Sequence, residues 1–230
     1  HGYQKKEFYS FEAKKLNAYW YAPPSNKLPR IFVSELRVSD LSNKAQKIIK
    51  KYTGSIKSDP VDQLDLKNPR QIIDFFEKPL WKLPTLNDYN DLLNESEYAA
   101  WVIYNRYYLN HYTISVHELP NGYDKLEKFN DFIGDLGILL NDAGGVIKTS
   151  KDGLLLQSSS VAEMITADFD GNESQKIAGS YVEFAERRIL SEFQNLDPKL
   201  ISSEHRRDGF ETANADKIFE STFIKQTKKS

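Results

Sequence analysis

Residues 110–119 read NHYTISVHEL and place two of the four histidines, His111 and His117, six positions apart in a run with strand character. An even spacing puts both imidazoles on one side of a pleated strand. Thr113 and Ser115 lie between them, and Tyr112, Ile114 and Val116 point the other way. An imidazole among polar neighbours either ligates a metal or holds an ordinary hydrogen bond at the surface. At about 3.3 Å per residue the two rings stand roughly 20 Å apart, so they cannot share one ion, and His117 is expected at the rim or in solvent. A second candidate is Glu183, between Val182 and Phe184 in YVEFAE. A carboxylate buried there alone would be costly, so a metal or an arginine such as Arg187 or Arg188 must compensate. Alternation puts Tyr181, Glu183, Ala185 and Arg187 on one face. Arg187 therefore either meets the site or pairs with a carboxylate. Glu186 falls on the other face and is expected to be solvated.

Three further groups carry polar chemistry. Gln157, Ser158 and Ser159 follow an apolar strand and offer neutral hydrogen bonds to a ligand's oxygens, or are ordinary strand-end polarity. Asp216 and Lys217 sit in ANADKIFES, a short helix or turn, where Lys217 either binds a carboxylate or is solvated. His205, in the charged SSEHRRDGF segment, is expected to be exposed, and the KQTKKS tail to be a solvated end.

The bulk composition narrows the chemistry. The chain has 230 residues, enough for one large domain or two small ones. Apolar residues at 40% and charged residues at 28% are ordinary for a globular protein. A net charge of −2 gives no reason to expect nucleic acid or an anionic membrane as partner. There is no cysteine, which excludes disulfides, thiolate metal sites and cysteine nucleophiles. Any metal would need His, Asp and Glu ligands, a set suited to iron, manganese or zinc. No apolar run approaches the roughly eighteen residues needed to cross a bilayer, and the start is not a signal peptide, so a soluble protein is expected. Aromatic residues at 13% suit a pocket wall or a sheet core equally.

The elements that must position these groups follow from patterning. EFYSF (7–11), NAYWYAPP (17–24) and RIFVSEL (30–36) are aromatic and β-branched and read as strands. Ser42 caps a helix over NKAQKIIKKY that Gly54 stops. Residues 55–69 read as loop. A short helix follows at 69–76 with Pro69 in its first turn, Thr85 caps another, and 96–108 is a largely buried helix. The second half has a clearer rhythm. NHYTISVHEL is a strand, and Leu126, Phe129, Ile133 and Leu136 mark a helix ending at Gly137. GVIKTS, LLLQSSS and AGSYVEFAERR are strands, and VAEMITADFD either lengthens the third strand or adds an edge. The order is βαβββ. The front offers three strands without a leading strand and helix, and HGY resembles the Gly-capped tail of a helix. The chain is thus expected to begin partway through a first copy of the same unit. Residues 1–39 are the remainder of that first module, 40–108 a helical insertion, and 109–230 the second module with a C-terminal segment.

Paired βαβββ modules are the architecture of the vicinal oxygen chelate superfamily, whose curled sheets cradle a metal. More narrowly, six ordered blocks resemble the 2-oxoadipate dioxygenase/decarboxylase (hydroxyglutarate synthase) family. They are AKKLNAYWYAPP (13–24), LPRIFVSELRV (28–38), YAAWVIYNRYYLNHYTISVHEL (98–119), LNDAGGVIKTSKDGLLLQSSS (140–160), YVEFAERR (181–188) and ANADKIFEST (213–222). The resemblance implies an α+β metal cradle and a non-haem Fe(II) enzyme that converts 2-oxoadipate and O2 to 2-hydroxyglutarate and CO2, late in lysine breakdown. It implies His111 and Glu183 as iron ligands; beside them, Gln157, Ser158, Ser159, Arg187 and Lys217 are the polar groups that the reading of the residues offers to such a 2-oxo acid. The family pattern adds a DH-x-x-x-R strand, with a second histidine ligand and a substrate-gripping arginine, which this sequence lacks. A truncated chain is one explanation and a natural short variant without an intact iron site is the other. The resemblance further implies a cytoplasmic location, or a plastid one for a plant or algal source. The alternative function is a non-catalytic or differently specific metal-binding protein of the same fold.

Overall fold

The computed structural model describes residues 2–229. In chain order the elements are β1 (Gln4–Phe11), β2 (Leu16–Ala22), β3 (Ile31–Leu36), α1 (Asn43–Thr53), α2 (Pro69–Glu77), α3 (Leu86–Glu95), α4 (Glu97–Asn105) and β4 (His111–Ser115). They continue with α5 (Leu126–Asp135), β5 (Lys148–Thr149), β6 (Leu155–Ser159), β7 (Met164–Phe169), β8 (Glu173–Ala178), β9 (Tyr181–Arg187), α6 (Thr212–Ile218) and α7 (Ile224–Thr227). The class is α+β, with open sheets, and the chain divides into two compact units. No helix among the described residues is long and apolar enough to cross a membrane.

The unit that carries the candidate site comprises His1–Glu35, Leu109–Ile165 and Ala178–Ser230. Its four-stranded sheet has the order β4-β9-β6-β5. β4 runs parallel to β9, pairing His111 with Tyr181 and Thr113 with Glu183. β6 runs antiparallel to β9, pairing Gln157 with Ala185 and Ser159 with Glu183. The expected strand, helix and three strands are therefore present, and the last strand lies at the centre. One face of the sheet is covered by α5: Leu126, Phe129 and Ile133 pack on Val116, Leu156 and Phe184. The other face is the one that alternation assigns to residues 111 and 113, 157 and 159, and 181, 183, 185 and 187. The front strands form a second sheet, β1-β2-β3. Aromatic pairs, Phe11 with Phe219 at 5.1 Å and Phe32 with Phe210 at 4.8 Å, join it to the C-terminal segment.

The second unit comprises Leu36–Tyr108 and Thr166–Ile177. Ser42 and Thr85 cap two of its helices as the sequence places them, and Ser96 caps a third. The side chains of Ser42, Thr85 and Ser96 each accept a hydrogen bond from the backbone N–H three residues on. Ala45, Ile48 and Tyr52 of α1 form one apolar stripe that meets Tyr89 and Leu92 of α3.

Three expectations change. VAEMITADFD neither lengthens β6 nor joins its sheet: β7 pairs only with β8, as a separate hairpin. Gly171 and Asn172 turn it with φ of +97° and +60°, the two positive angles that a tight hairpin turn requires. Gly2 and Tyr3 lead into β1 with no helical turn, and His1, the rest of that expectation, lies outside the described residues. β4 ends at Ser115, and Val116–Glu118 is a 3-10 turn, so the parity argument does not reach His117.

Candidate metal centre

β4 and β9 bring His111 and Glu183 together. His111 Nε2 lies 3.3 Å from Glu183 Oε2, and Glu183 is 3% exposed. Parallel register does this, because Thr113 faces Glu183 and His111 sits one inward-facing step before it. The imidazole stacks on the Tyr181 ring at 4.7 Å and 15°. Thr113 Oγ1 donates to Glu183 Oε2 at 3.3 Å, and Gln157 Nε2 donates to Oε1 at 2.5 Å. Burial by itself would raise the Glu183 carboxyl. The His111 hydrogen bond and charge, the Gln157 amide and the Arg187 guanidinium outweigh it and hold the carboxyl below its ordinary range.

The hydrogen-bond geometry of His111 leaves its Nε2 to a proton or to a metal ion. Its Nδ1 lies 3.0 Å from Asn110 Oδ1. A carboxamide oxygen only accepts, so Nδ1 carries the ring proton and the neutral ring presents a lone pair at Nε2. That lone pair faces a carboxylate oxygen, and two acceptors hold such a position only with positive charge between or on them. A proton on Nε2 supplies it as an imidazolium–carboxylate pair, and a metal ion supplies it by ligation. Adjacent donors on an ion bound at roughly 2.1 Å stand about 3 Å apart, close to the separation found here. One imidazole and one carboxylate are two members of the 2-His-1-carboxylate set that suits Fe(II). Among the described residues no third His, Asp or Glu joins them.

The remaining candidates divide by strand parity. Gln157 and Ser159 share the face of Glu183. Ser159 Oγ bonds Ser221 Oγ at 2.8 Å, and the Gln157 carbonyl accepts from Asn214 Nδ2 at 3.0 Å, so both are engaged by protein groups. Ser158 does not belong to this face. It points under α5, where its hydroxyl donates to Asn130 Oδ1 at 2.7 Å. Arg187 lies on the same face of the sheet as Glu183 and is 6% exposed, with Nη1 donating to the carbonyls of Arg207 and Gly209 at 3.0 and 2.7 Å. Burial, with Arg30 adding, pushes it down to about 10, and Asp208 and Glu183 oppose this. Lys217 stands apart: its ammonium pairs with Glu220 at 2.9 Å and Asp216 at 3.6 Å.

Two other expectations are overturned. Glu186 is 1% exposed, not solvated. Its Oε2 accepts from the backbone N–H of Leu126 at 2.8 Å, and Lys125 and Arg188 approach Oε1 at 3.4 and 3.7 Å. Lys125 offers no side-chain cap, so a carboxylate from the sheet closes the N-terminus of α5. His117 is not a solvent residue either, since its side chain is only 7% exposed. The Arg187 N–H donates to its Nδ1 at 3.1 Å, so the neutral ring carries its proton on Nε2, 3.5 Å from Glu118 Oε1. Burial, with Arg206 adding, lowers it to about 4. Asn110 and Asn214 are the polar partners that strand patterning missed. Both stand inside the quoted sequence blocks, but nothing in their spacing singles them out.

Comparison with known proteins then bears on the whole chain. The family model described as 2-oxoadipate dioxygenase/decarboxylase matches residues 1–200. The chain is 43% identical over 237 residues to the chloroplastic 2-oxoadipate dioxygenase/decarboxylase of Arabidopsis thaliana, covering 98% of this chain and 62% of that protein. It thus spans less than two thirds of that relative's length. In structure it is similar to the hydroxyglutarate synthase from Oryza sativa, crystallised in complex with 2-oxoadipate, with 42% identity and a TM-score of 0.88 over 99% of this chain and 74% of the other. A glyoxalase-superfamily protein from Ralstonia eutropha JMP134 shares the fold at 19% identity and a TM-score of 0.62, over 81% of this chain and 62% of that one.

Proposed function

The chain belongs to the 2-oxoadipate dioxygenase/decarboxylase family, and on that footing we propose that it takes 2-oxoadipate and O2 to 2-hydroxyglutarate and CO2 at a non-haem Fe(II) centre. The observation that carries this reading is the 3.3 Å approach of His111 Nε2 to Glu183 Oε2, with Asn110 fixing the ring proton on the far nitrogen. His111 and Glu183 would supply two of the iron's three protein ligands. An ion held there would supply the Lewis-acid and redox chemistry by which a 2-oxo acid reacts with O2.

The protein's own groups do the rest. Asn110 and Tyr181 hold the imidazole in one tautomer and one plane. Thr113 and Gln157 hold the two oxygens of Glu183. Arg187 gives the Glu183 face of the sheet a fixed positive charge that favours a dianion such as 2-oxoadipate. The Tyr181 ring stacked on His111 and the burial of Glu183 keep bulk water from the carboxylate. No external cosubstrate is required, because the substrate carries its own 2-oxo group. The reaction fits a late step of lysine breakdown, and the chloroplastic relative supports a plastid location for a plant or algal source.

Anaerobic titration of the protein with Fe(II) and 2-oxoadipate tests the reading. A metal-to-ligand charge-transfer band, followed on O2 addition by equimolar CO2 and 2-hydroxyglutarate, is expected. Iron binding without that band, or none at all, would remove the proposed chemistry.

A further inference from the structure

We infer that Asn214 and Gln157 form a positioning relay that locks the carboxylate of Glu183, keeping Oε1 occupied and reserving Oε2 for the cation. The inference rests on the iron reading above and adds Asn214, to which that reading assigns no role.

Three buried side chains carry it: Asn214 at 3% exposure, Gln157 at 2% and Glu183 at 3%. Asn214 Nδ2 donates to the backbone carbonyl of Lys148 at 3.2 Å and to Gln157 Oε1 at 3.0 Å. A peptide carbonyl can only accept, so the group facing it must be the amide nitrogen, and its two hydrogens are spent on these two acceptors. That fixes Gln157 with its oxygen toward Asn214, and its nitrogen then faces Glu183 Oε1, where the 2.5 Å contact stands. Lys148 and Gln157 are directly paired between β5 and β6, so the sheet register aligns the first and third members of the chain. Donation therefore starts at Asn214, which is anchored on a backbone carbonyl and passes its second hydrogen to Gln157, and Gln157 in turn donates to one carboxylate oxygen. The other oxygen, Oε2, faces His111 Nε2 and Thr113 Oγ1, both at 3.3 Å. The plane of the carboxylate is set before any ion arrives, which is the arrangement that raises affinity by lowering the reorganisation on binding. Asn214 lies on α6, beyond the residues 1–200 that the family model matches, so the C-terminal segment contributes to the site.

The test is Fe(II) affinity, measured anaerobically on the whole chain by competition with a chromophoric chelator. Gln157→Leu and Asn214→Leu should each weaken binding about 10-fold or more. The double variant should be no weaker than Gln157→Leu alone, because a relay is lost once. Affinity within twofold of wild type in natively folded Gln157→Leu, or losses that simply add, would overturn the relay. Should Asn214→Leu fail to fold, Asn214→Ser, which shortens the reach and keeps one donor, replaces it. A wild-type chain that binds no Fe(II) would sink the iron reading. The relay is then judged without metal: the Gln157 side-chain amide resonances must move in Asn214→Leu and in Glu183→Ala, and resonances that stay in place refute it.

Discussion

At the scale of single residues, the proposed centre makes His111 and Glu183 one unit, so each is expected to be indispensable alone. His111→Ala and Glu183→Ala should each reduce turnover of 2-oxoadipate by at least about 10³-fold, read as O2 uptake, with Fe(II) affinity falling in parallel. Retained activity in either variant would take that residue out of the centre. His117 makes a different prediction. Its folded-state value of about 4 lies below the ordinary 6.5, so the unfolded chain binds more protons between those limits. Stability present above pH 6.5 is therefore lost as pH falls toward 4, on the order of 3 kcal/mol for a shift of this size. His117→Asn, whose Oδ1 can accept from the Arg187 N–H in place of Nδ1, should flatten that slope in thermal melts from pH 4 to 7. An unchanged slope would assign it to other groups. Strand alternation made His111 and Glu183 stand out as polar groups on a sheet face, while only the family resemblance suggested that they meet. His117 was misread because period-two counting assumes the strand continues, and the backbone leaves it at Ser115.

At the scale of elements, α5 is fastened to its sheet by Glu186. The carboxylate accepts from the Leu126 N–H and lies near Lys125 and Arg188, so its removal uncaps the helix inside the protein. Glu186→Ala should lower stability to denaturant by about 2 kcal/mol and speed hydrogen exchange at the first turn of α5. A loss below about 0.5 kcal/mol would mean that water or another group takes over the cap. Sequence periodicity located α5 correctly, because Leu126, Phe129 and Ile133 repeat at helical spacing. It could not find this cap, because a cap supplied across the tertiary fold leaves no local mark near residue 126. β8 was missed for a related reason. ESQKIA is mostly polar, and only its pairing with β7 makes it a strand. The Asp-Gly-Asn stretch before it was the available hairpin signal.

At the scale of the whole molecule, ligand effects should report which unit holds the centre. Adding Fe(II) and 2-oxoadipate anaerobically should raise the apparent melting temperature in proportion to the logarithm of ligand concentration. Hydrogen exchange should slow in β4, β6 and β9, and stay unchanged at the amides of α1 and α3. Protection appearing in α1 and α3 instead would place the ligand elsewhere. The βαβββ order was legible because each strand and helix of that run has its own pattern. Spatial order was not, since nothing local says that β9, the last strand, lies between β4 and β6. That central place has a consequence for how the chain avoids misfolding. β9 sends Glu183 to one side and Glu186 to the other, with Phe184 between them. A slip of one residue against its neighbours would aim Glu183 at the phenyl ring of Phe129, push Phe184 among the imidazole and amides, and leave Leu126 without an acceptor. A slip of the strand by any odd number of residues thus strands at least one negative charge in oil, and the sheet proofreads itself against it.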